Sequence, residues 1–503
     1  MGGPSPERRD LAESTRRANE LREGLGHLPD SDVKVTLLRF CADTSKSLYS
    51  LRLGGDRHAQ EDLEASDAAL RTALEAFLDG PLPDHSWRQA TMGVTVGGLG
   101  LRPAQSVALP AYVASAAAAE PTVAEIAGSM RGLMDASLVL GCARARLDAA
   151  IERMVFPHPQ DVQVKMRRLV GDMRKFAAER WECLKQGLPP PRFWTGDDED
   201  EAFDAGGLFV ADAGLLDPEH PHSARSRGLQ CLLFREADRG SAYAERMRAR
   251  LEGRWRDDAR LADLQHKRCE HSWLWALCPA HGASLDPSEY TDAVRLRLGA
   301  PLVSDSCTCQ RCGALVQPDG VHTQTCGGAG EVVGHNRVRD SLHALAALAD
   351  PSAALETPGL IPSRPKHRPA DVLTYAAGLA GGCSALDVGV TTPWSTGAGD
   401  DCARAMRDAK LTKARPWIEE LRAEGVDYVP MGVSCFGRWE EGAHCIIVAL
   451  ARRAARRAGI ASHAAILRRA RCRLAVEVVR RSVSCLRSCL VRDVAALLEG
   501  GGL

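Results

Sequence analysis

Four metal-binding side chains lie close together in the middle of the chain: Cys309, Cys312, His322 and Cys326, with two, nine and three residues between them. Cysteine thiolates and imidazoles at such spacings are typical of a small tetrahedral zinc site. A glycine directly after Cys312 and a Pro-Asp-Gly turn at 318–320 provide the chain reversals that the site needs. The spacing therefore predicts a zinc knuckle, a compact element that most other readings of this segment would not accommodate.

Other cysteines and histidines lie near this set. Cys307 and His335 are alternative ligands, and exchanging one of them for a member of the set would not change the prediction. A second group surrounds the apolar run 273–277, and these residues favour a buried helix end over a metal loop. Its members are Cys269, His271, Cys278 and His281.

Two aspartates follow the knuckle in short apolar segments. Asp371 begins the run 371–375, and Asp387 lies within 385–390. A single carboxylate in such surroundings is costly unless it is paired or bound to a metal ion, and Mg²⁺-dependent cleavage of nucleic acid needs carboxylates that converge from neighbouring strands. The alternative is that both aspartates are solvated at strand ends or cap turns.

Three more residues complete this candidate catalytic set. Glu356 precedes the aspartates in a short apolar context, and Lys410 and Lys413 follow them on a predicted helix. We expect Glu356 to position the metal ion or the attacking water. Either lysine can orient water or stabilise charge on the scissile phosphate.

A basic helix is predicted near the C-terminus. Arg452, Arg453, Arg456 and Arg457 form like-charged i,i+4 pairs, which repel one another. A bound polyanion would relieve this repulsion and release counterions. The alternative is a solvated helix face whose side chains cover the core with their aliphatic stems.

Composition limits the class of the chain. With 503 residues, 45% hydrophobic and 5% aromatic, it is long enough for about two to four domains and favours helix over β-sandwich. No window of about 18 uncharged apolar residues is present, so no membrane span is expected. Seventeen cysteines without a visible signal peptide indicate a reducing compartment, nuclear or cytoplasmic.

The periodicity predicts an α+β protein that is mostly helical. Short strands are expected at 370–375, 384–391 and 428–435, with a helix at 400–424 between the last two. Ser284 or Asp286 is expected to cap a helix that ends near Gly299. The other helices are predicted at 31–53, 59–79, 103–118, 121–155, 160–187, 229–268, 335–349 and 441–498.

Five segments are expected from these patterns. Residues 1–120 and 121–268 are helical, with an acidic linker near 189–228 in the second. Residues 269–345 combine a helical linker with the zinc knuckle. Residues 346–440 form a small α/β domain, and residues 441–503 are a basic helical tail.

Taken in order, these motifs resemble the C-terminal part of the polyprotein of non-LTR retrotransposons. The knuckle resembles the CCHC knuckle of that family, and Gly334-His335-Asn336-x2-Arg339-Asp340 resembles the helix that follows it. Glu356, Arg368-Pro369-Ala370-Asp371 and Leu386-Asp387-Val388 resemble a restriction-like endonuclease of the PD-(D/E)xK fold. Segments 37–41 and 97–102 resemble the end of the polymerase region, which makes 1–120 a remnant of its thumb or connection. The resemblance is best over residues 272–440.

The sequence departs from this family at two points. The lysine expected two residues after the second acid is Gly389, so Lys410 or Lys413 is the expected substitute. No polymerase Asp-Asp motif in an aromatic β-hairpin context is present, so the chain as it stands is not expected to be a reverse transcriptase.

The resemblance implies a metal-dependent DNA endonuclease module that nicks a target site. Its cofactors would be a structural Zn²⁺ and a catalytic Mg²⁺ or Mn²⁺ bound by Asp371 and Asp387. Its partners would be target DNA and element RNA, with no membrane partner and an open oligomeric state. The alternative is a catalytically inactive remnant that still binds nucleic acid. The residues assigned to nucleic-acid binding are Arg311, Arg337, Arg339, Arg368, Arg452, Arg453, Arg456 and Arg457.

Overall fold

The chain is described by a computed structural model over residues 6–44, 47–129, 136–188, 222–277, 284–327, 330–377 and 382–490. Over these ranges it is mostly helical, with one two-stranded and one four-stranded sheet, which confirms the α+β class. The chain divides into two compact units, residues 1–29 with 33–247 and residues 30–32 with 248–503. The finer division into five segments stays a prediction.

The regular elements up to residue 251 are helical. The predicted helix at 31–53 is interrupted by a π-helical turn at Leu38–Ala42, and the helix predicted from 103 continues through Pro121. The predicted linker near 189–228 lies mostly outside the described residues, and 222–228 already form the first turns of a helix. These helices are α1 Pro6–Gly26, α2 Ser31–Leu37, α3 Leu48–Gly54, α4 Gln60–Phe77, α5 Asp84–Ala90, α6 Ala104–Ser129, α7 Ala136–Val155, α8 Gln160–Lys185 and α9 His222–Leu251.

A paired arginine secures the glycine-rich segment before α6. The segment forms a 3₁₀ turn at Val94–Val96, where a strand-like piece was predicted. Arg102 donates to both carboxylate oxygens of Asp238 on α9, at 2.7 and 2.8 Å. A Cβ atom at Gly93 would collide with this carboxylate, so the glycine allows the backbone to approach the ion pair.

The second unit contains both sheets. Its strands are β1 Cys307–Thr308, β2 Leu315–Val316, β3 Ala354–Leu355, β4 Val372–Thr374, β5 Cys383–Thr391 and β6 Val426–Ser434. Its helices are α10 Trp255–Leu264, α11 Pro287–Leu298, α12 Val321–Thr325, α13 Gly330–Ala349, α14 Cys402–Ala414, α15 Ile418–Ala423, α16 Glu441–Arg457 and α17 Ala464–Cys489. The three predicted strands are present, whereas β3 was not predicted and the helix expected at 400–424 is two helices.

The start of α11 is encoded locally. Asp286 is the cap: its carboxylate accepts the Glu289 backbone N–H at 2.7 Å, and the Glu289 carboxylate accepts the Asp286 N–H at 3.1 Å. This reciprocal pair satisfies two N–H groups that the helix leaves unbonded. Gly299, with φ of 62°, ends the helix in the left-handed conformation.

The large sheet is mixed. Its strand order is β3-β4-β5-β6, with antiparallel pairing between the first three strands and parallel pairing between β5 and β6. Helices α14 and α15 form the crossover that a parallel neighbour requires. β5 is therefore central and has strand partners on both sides.

The two faces of this sheet pack against different helices. One face carries Val372, Leu386 and Met431 into a core shared with α13, α16 and α17. The other contributes Ala385 to a core with the α15 region, including Trp417. The core that holds the sheet thus continues on both sides of the predicted 346–440 bounds.

None of the helices in the described ranges is both long and apolar enough to cross a lipid bilayer. This agrees with the expectation of no membrane partner. The nuclear or cytoplasmic location stays a prediction.

Core packing on α13 can be tested with a matched pair of substitutions. Leu342 is fully buried beneath the sheet, whereas Leu348 on the same helix is largely exposed. We expect Leu342→Ala to lower the free energy of unfolding by about 2–5 kcal/mol and Leu348→Ala to change it by about 0.5 kcal/mol or less. Denaturant unfolding followed by circular dichroism measures both values, and equal losses would contradict this packing.

Candidate metal centre and carboxylate site

The knuckle is built from a tight hairpin and a short helix. Strands β1 and β2 pair antiparallel, and the turn between them is closed by a hydrogen bond from the Gly313 N–H to the Cys309 carbonyl at 3.0 Å. Gly313 has φ of 72°, a conformation that other residues rarely adopt. Helix α12 then brings His322 and Cys326, one turn apart, to the first cysteine pair.

The four predicted ligands converge. Their donor atoms all lie within 4.8 Å of one another, with 3.9 Å between the sulfurs of Cys309 and Cys326 and 3.2 Å between Cys312 Sγ and His322 Nε2. A tetrahedron with zinc–sulfur bonds of about 2.3 Å has edges of about 3.8 Å. The arrangement can therefore hold a metal ion such as zinc.

The first knuckle turn prepares Cys309 for metal binding. Burial raises the pKa of its thiol, but the backbone N–H groups of Arg311 and Cys312, together with His322 and Cys489, lower the pKa to about 6. Burial and the neighbouring thiols of Cys312 and Cys309 raise the pKa of Cys326. A bound divalent ion would neutralise the charge that these thiols place on one another.

The hairpin is also attached to α17 through a residue that sequence reasoning missed. The Gln310 N–H donates to the carbonyl of Cys489 at 3.1 Å, and the Cys489 side chain packs in the same small core as Cys309 and Cys326. Cys489 is distant in sequence, so no local spacing could have indicated it. The alternative ligand Cys307 is half-buried in β1 and is not in the convergent set.

The two aspartates face each other across the sheet. Val372 pairs with Leu386, so extending the antiparallel register by one residue places Asp371 opposite Asp387. Directly opposed residues share a face and have Cβ atoms about 4.5–5.5 Å apart. The pairing of β4 and β5 therefore brings together the two acids that the sequence motifs predicted.

Asp371 is held by two donors. His335 Nε2 lies 3.0 Å from Oδ1, and the Val388 backbone N–H donates to Oδ2 at 2.7 Å. Burial raises the pKa of Asp371, but the His335 hydrogen bond, the Val388 N–H and the charge of Lys410 outweigh it and leave the pKa below its usual value. His335, which the sequence offered as an alternative zinc ligand, thus contacts the carboxylate site.

Asp387 is held by Lys410 and Tyr428. Lys410 Nζ lies 2.8 Å from Oδ1, and the Tyr428 hydroxyl donates to Oδ2. Burial and the adjacent carboxylate of Asp387 raise the pKa of Tyr428, so its hydroxyl remains a donor. Tyr428 lies on β6, and no motif in the sequence marked it.

Gly389 and Lys410 share one space. A Cβ atom at position 389 would lie 2.5 Å from Lys410 Cε and 2.8 Å from Met406 Cγ. The missing side chain on β5 therefore leaves room for a lysine that reaches the sheet from α14. Lys413, the other predicted substitute, is exposed and makes no ion pair with a described residue.

Glu356 lies beside this pair but is neutralised by arginines. Its backbone N–H donates to the Asp371 carbonyl at 3.0 Å, and its carboxylate bonds Arg339 and, at 2.6 Å, Arg368. Its φ of 46° is unusual for a residue other than glycine. Among the described residues, only the Cys/His set brings three or more candidate ligand atoms within 4.8 Å of one another, so Glu356 and the aspartates are a looser group.

The remaining predicted arginines differ in their surroundings. Arg337 on α13 is exposed and Arg311 in the knuckle turn is half-buried. The four arginines of α16 are exposed, and Arg457 donates to the carbonyls of Ala347 and Leu348 at the end of α13. Their assignment to nucleic-acid binding stays a prediction.

The second cysteine–histidine group is structural in its described part. Cys269 Sγ donates to the Phe436 carbonyl at 3.3 Å, and His271 Nδ1 lies 3.2 Å from Arg297 Nη1. Burial and the Arg297 charge hold the pKa of His271 well below its usual value, so the ring is neutral and can accept from the guanidinium. Cys278 and His281 lie outside the described residues.

Comparison with known proteins assigns no family to the chain. No model of a known protein family matches it, and none of the curated proteins is significantly similar to it.

Zinc binding is directly testable. We expect the purified chain to contain one zinc ion, and Cys326→Ser to lose it because three ligands cannot complete the site. Cys307→Ser is the matched control, since Cys307 lies in the same hairpin outside the convergent set. Mass-spectrometric metal analysis after gel filtration measures the content. Equal zinc loss in both variants would contradict the ligand assignment.

Proposed function

We propose that this chain is a metal-dependent endonuclease that acts on DNA, with the zinc knuckle as a structural element of its nucleic-acid grip. One observation carries the proposal: Asp371 and Asp387 oppose each other on neighbouring strands, and the Lys410 ammonium lies 2.8 Å from Asp387. Two carboxylates and a cation on one sheet face match what phosphodiester hydrolysis requires. The resemblance to a PD-(D/E)xK nuclease supports it independently.

The two aspartates would hold Mg²⁺ or Mn²⁺. Each carboxylate offers about four lone-pair sites, and each has its two oxygens engaged by one donor apiece. Lone pairs therefore remain for a hard cation, which prefers such oxygen ligands. A bound ion of this kind lowers the pKa of a water ligand and offsets charge on a phosphate.

The surrounding residues have distinct roles in this proposal. Lys410 stabilises negative charge that develops on the scissile phosphate. His335 and Tyr428 orient the two carboxylates through the contacts described above. Arg368, mostly exposed beside Glu356, is placed to contact a neighbouring phosphate. Glu356 positions this arginine and Arg339, instead of binding the metal ion itself.

A second function is favoured by a specific observation. All three acids already have cationic or protonatable partners: His335 for Asp371, Lys410 for Asp387, and two arginines for Glu356. A metal ion must compete with these partners. If it cannot, the chain is a non-catalytic remnant that binds nucleic acid through its knuckle and arginines.

Descent from a retrotransposon polyprotein belongs to the proposal as well. It rests on the ordered succession of knuckle, following helix and acidic motifs. Target DNA and element RNA are the partners that this descent implies.

Cleavage tests the assignment. We expect supercoiled plasmid to be nicked in the presence of Mg²⁺ or Mn²⁺, and Asp387→Asn to lower the rate at least about 100-fold because the metal loses a charged ligand. Agarose electrophoresis separates nicked from supercoiled forms, and thermal unfolding checks that the variant is folded. Equal nicking by the variant would refute the active site, whereas DNA binding without nicking by the wild type would favour the remnant.

The two lysines of α14 form a matched comparison. We expect Lys410→Met to lower the nicking rate about 100-fold, in the range seen when one charge-stabilising donor is removed. Lys413→Met, one turn away and exposed, should keep the wild-type rate. The same plasmid assay decides between them, and the reverse order of effects would transfer the role to Lys413.

Gly389→Ala tests the shared space. The new methyl group would displace the flexible end of Lys410, so we expect nicking to fall about as far as in Lys410→Met. The free energy of unfolding should fall by only about 1–3 kcal/mol, as for ordinary overpacking. Rate and denaturant unfolding are measured on the same preparation. An unchanged rate would show that the lysine does not need this space.

A further inference from the structure

A basic groove lies beyond the far end of β4 from Asp371. It has a volume of about 500 Å³, within the range of small-molecule and cofactor pockets. The groove is formed where α13 and α16 end and the turn to β3 begins. Its lining is Ala349, Asp350, Pro351, Tyr375, Arg453, Arg456 and Arg457.

The charge of the groove is not balanced within the chain. Arg453 and Arg456 are exposed and make no ion pair with any described residue. Arg457 donates only weakly aligned bonds to carbonyl groups, at 3.3 and 3.4 Å, and keeps its positive charge uncompensated. Like charges at i,i+3 and i,i+4 repel one another. An anion in the groove would remove that cost.

The single acid of the groove is fully occupied. Asp350 Oδ1 accepts from the backbone and hydroxyl of Ser352 at 3.0 and 2.6 Å, and Oδ2 accepts from the Thr374 hydroxyl and the Tyr375 N–H at 2.8 and 2.7 Å. These four bonds fix the carboxylate as a structural anchor for the turn. They leave the three guanidinium groups as the groups available to a ligand.

The groove also presents an aromatic ring. Tyr375 is 58% exposed, although its backbone is fixed by the bond to Asp350. An exposed aromatic ring beside arginines is the combination with which proteins bind unpaired bases, because stacking requires a free base face and the arginines neutralise the phosphates. A duplex would keep its base faces covered.

The groove is near the proposed cleavage site. Tyr375 follows Asp371 by four residues through β4, which corresponds to about 13 Å along an extended strand. This distance is about four base-pair steps of 3.4 Å. One nucleic-acid strand can therefore contact both places.

We propose that this groove binds a single-stranded segment of nucleic acid, with its phosphates on Arg453, Arg456 and Arg457 and an unpaired base stacked on Tyr375. The inference rests on the proposed function for the identity of the ligand and extends it from duplex DNA to an unpaired strand beside the cleavage site. A phosphorylated peptide would use the arginines but would not need the tyrosine.

The test is fluorescence anisotropy with a labelled single-stranded DNA 12-mer of mixed sequence, without Mg²⁺ or Mn²⁺ so that cleavage does not interfere. We expect Arg453→Ala/Arg456→Ala to lower the affinity about tenfold or more and to reduce the slope of log K against log salt by about 1. Arg452→Ala is the matched control, since Arg452 is exposed on the same helix but does not line the groove. It should change the affinity about twofold at most.

Tyr375 variants separate stacking from charge. Tyr375→Ala should lower the single-strand affinity about fivefold to 100-fold and leave duplex binding unchanged, whereas Tyr375→Phe should bind the single strand as the wild type does. Loss of nicking with this pattern intact would refute only the proposed cleavage. Equal effects of the Arg452 and Arg453/Arg456 variants, no single-strand binding by the wild type, or an arginine effect without a tyrosine effect would each overturn the groove assignment.

Discussion

The pairing of β4 with β5 is the interaction on which the candidate active site depends. β4 has only three residues, yet its register with β5 places Asp371 opposite Asp387 and points both to the face covered by α14. A slip of one residue would turn every side chain of β4 to the other face. The register is held because Val372 must be buried against Leu386 on one face while the two carboxylates remain on the other.

The site is assembled from side chains that compensate for one another's absence or charge. Gly389 has no side chain, and Lys410 from the crossover helix fills that space and neutralises Asp387. His335 and the Val388 N–H do the same for Asp371. Each buried carboxylate is therefore paired, which avoids the several kcal/mol that an isolated buried charge costs. The same pairing sets the barrier that a metal ion has to overcome, so stability and catalysis oppose each other at these two residues.

The knuckle and the sheet belong to one structural unit, and α17 is in contact with both. Its middle part packs beneath the sheet through Leu474 and Val478, and its last residue, Cys489, packs beside the thiols of the knuckle. A metal ion at the knuckle would therefore also stabilise the end of a helix that supports the carboxylate site. The basic groove, in turn, uses the ends of α13 and α16, which cover the same side of the sheet.

Local pattern was sufficient for much of this molecule. The knuckle ligands, the Asp286 cap and the strands carrying Asp371 and Asp387 could be predicted, because each depends on residues within about one turn or one strand of each other. Other features required the folded chain. His335 could equally have joined the knuckle, Lys410 and Lys413 were equivalent in sequence, and nothing marked Tyr428, Cys489 or the partners of Glu356. Those contacts join residues that are distant along the chain, so only strand register, helix packing and the space left by Gly389 determine which side chains meet.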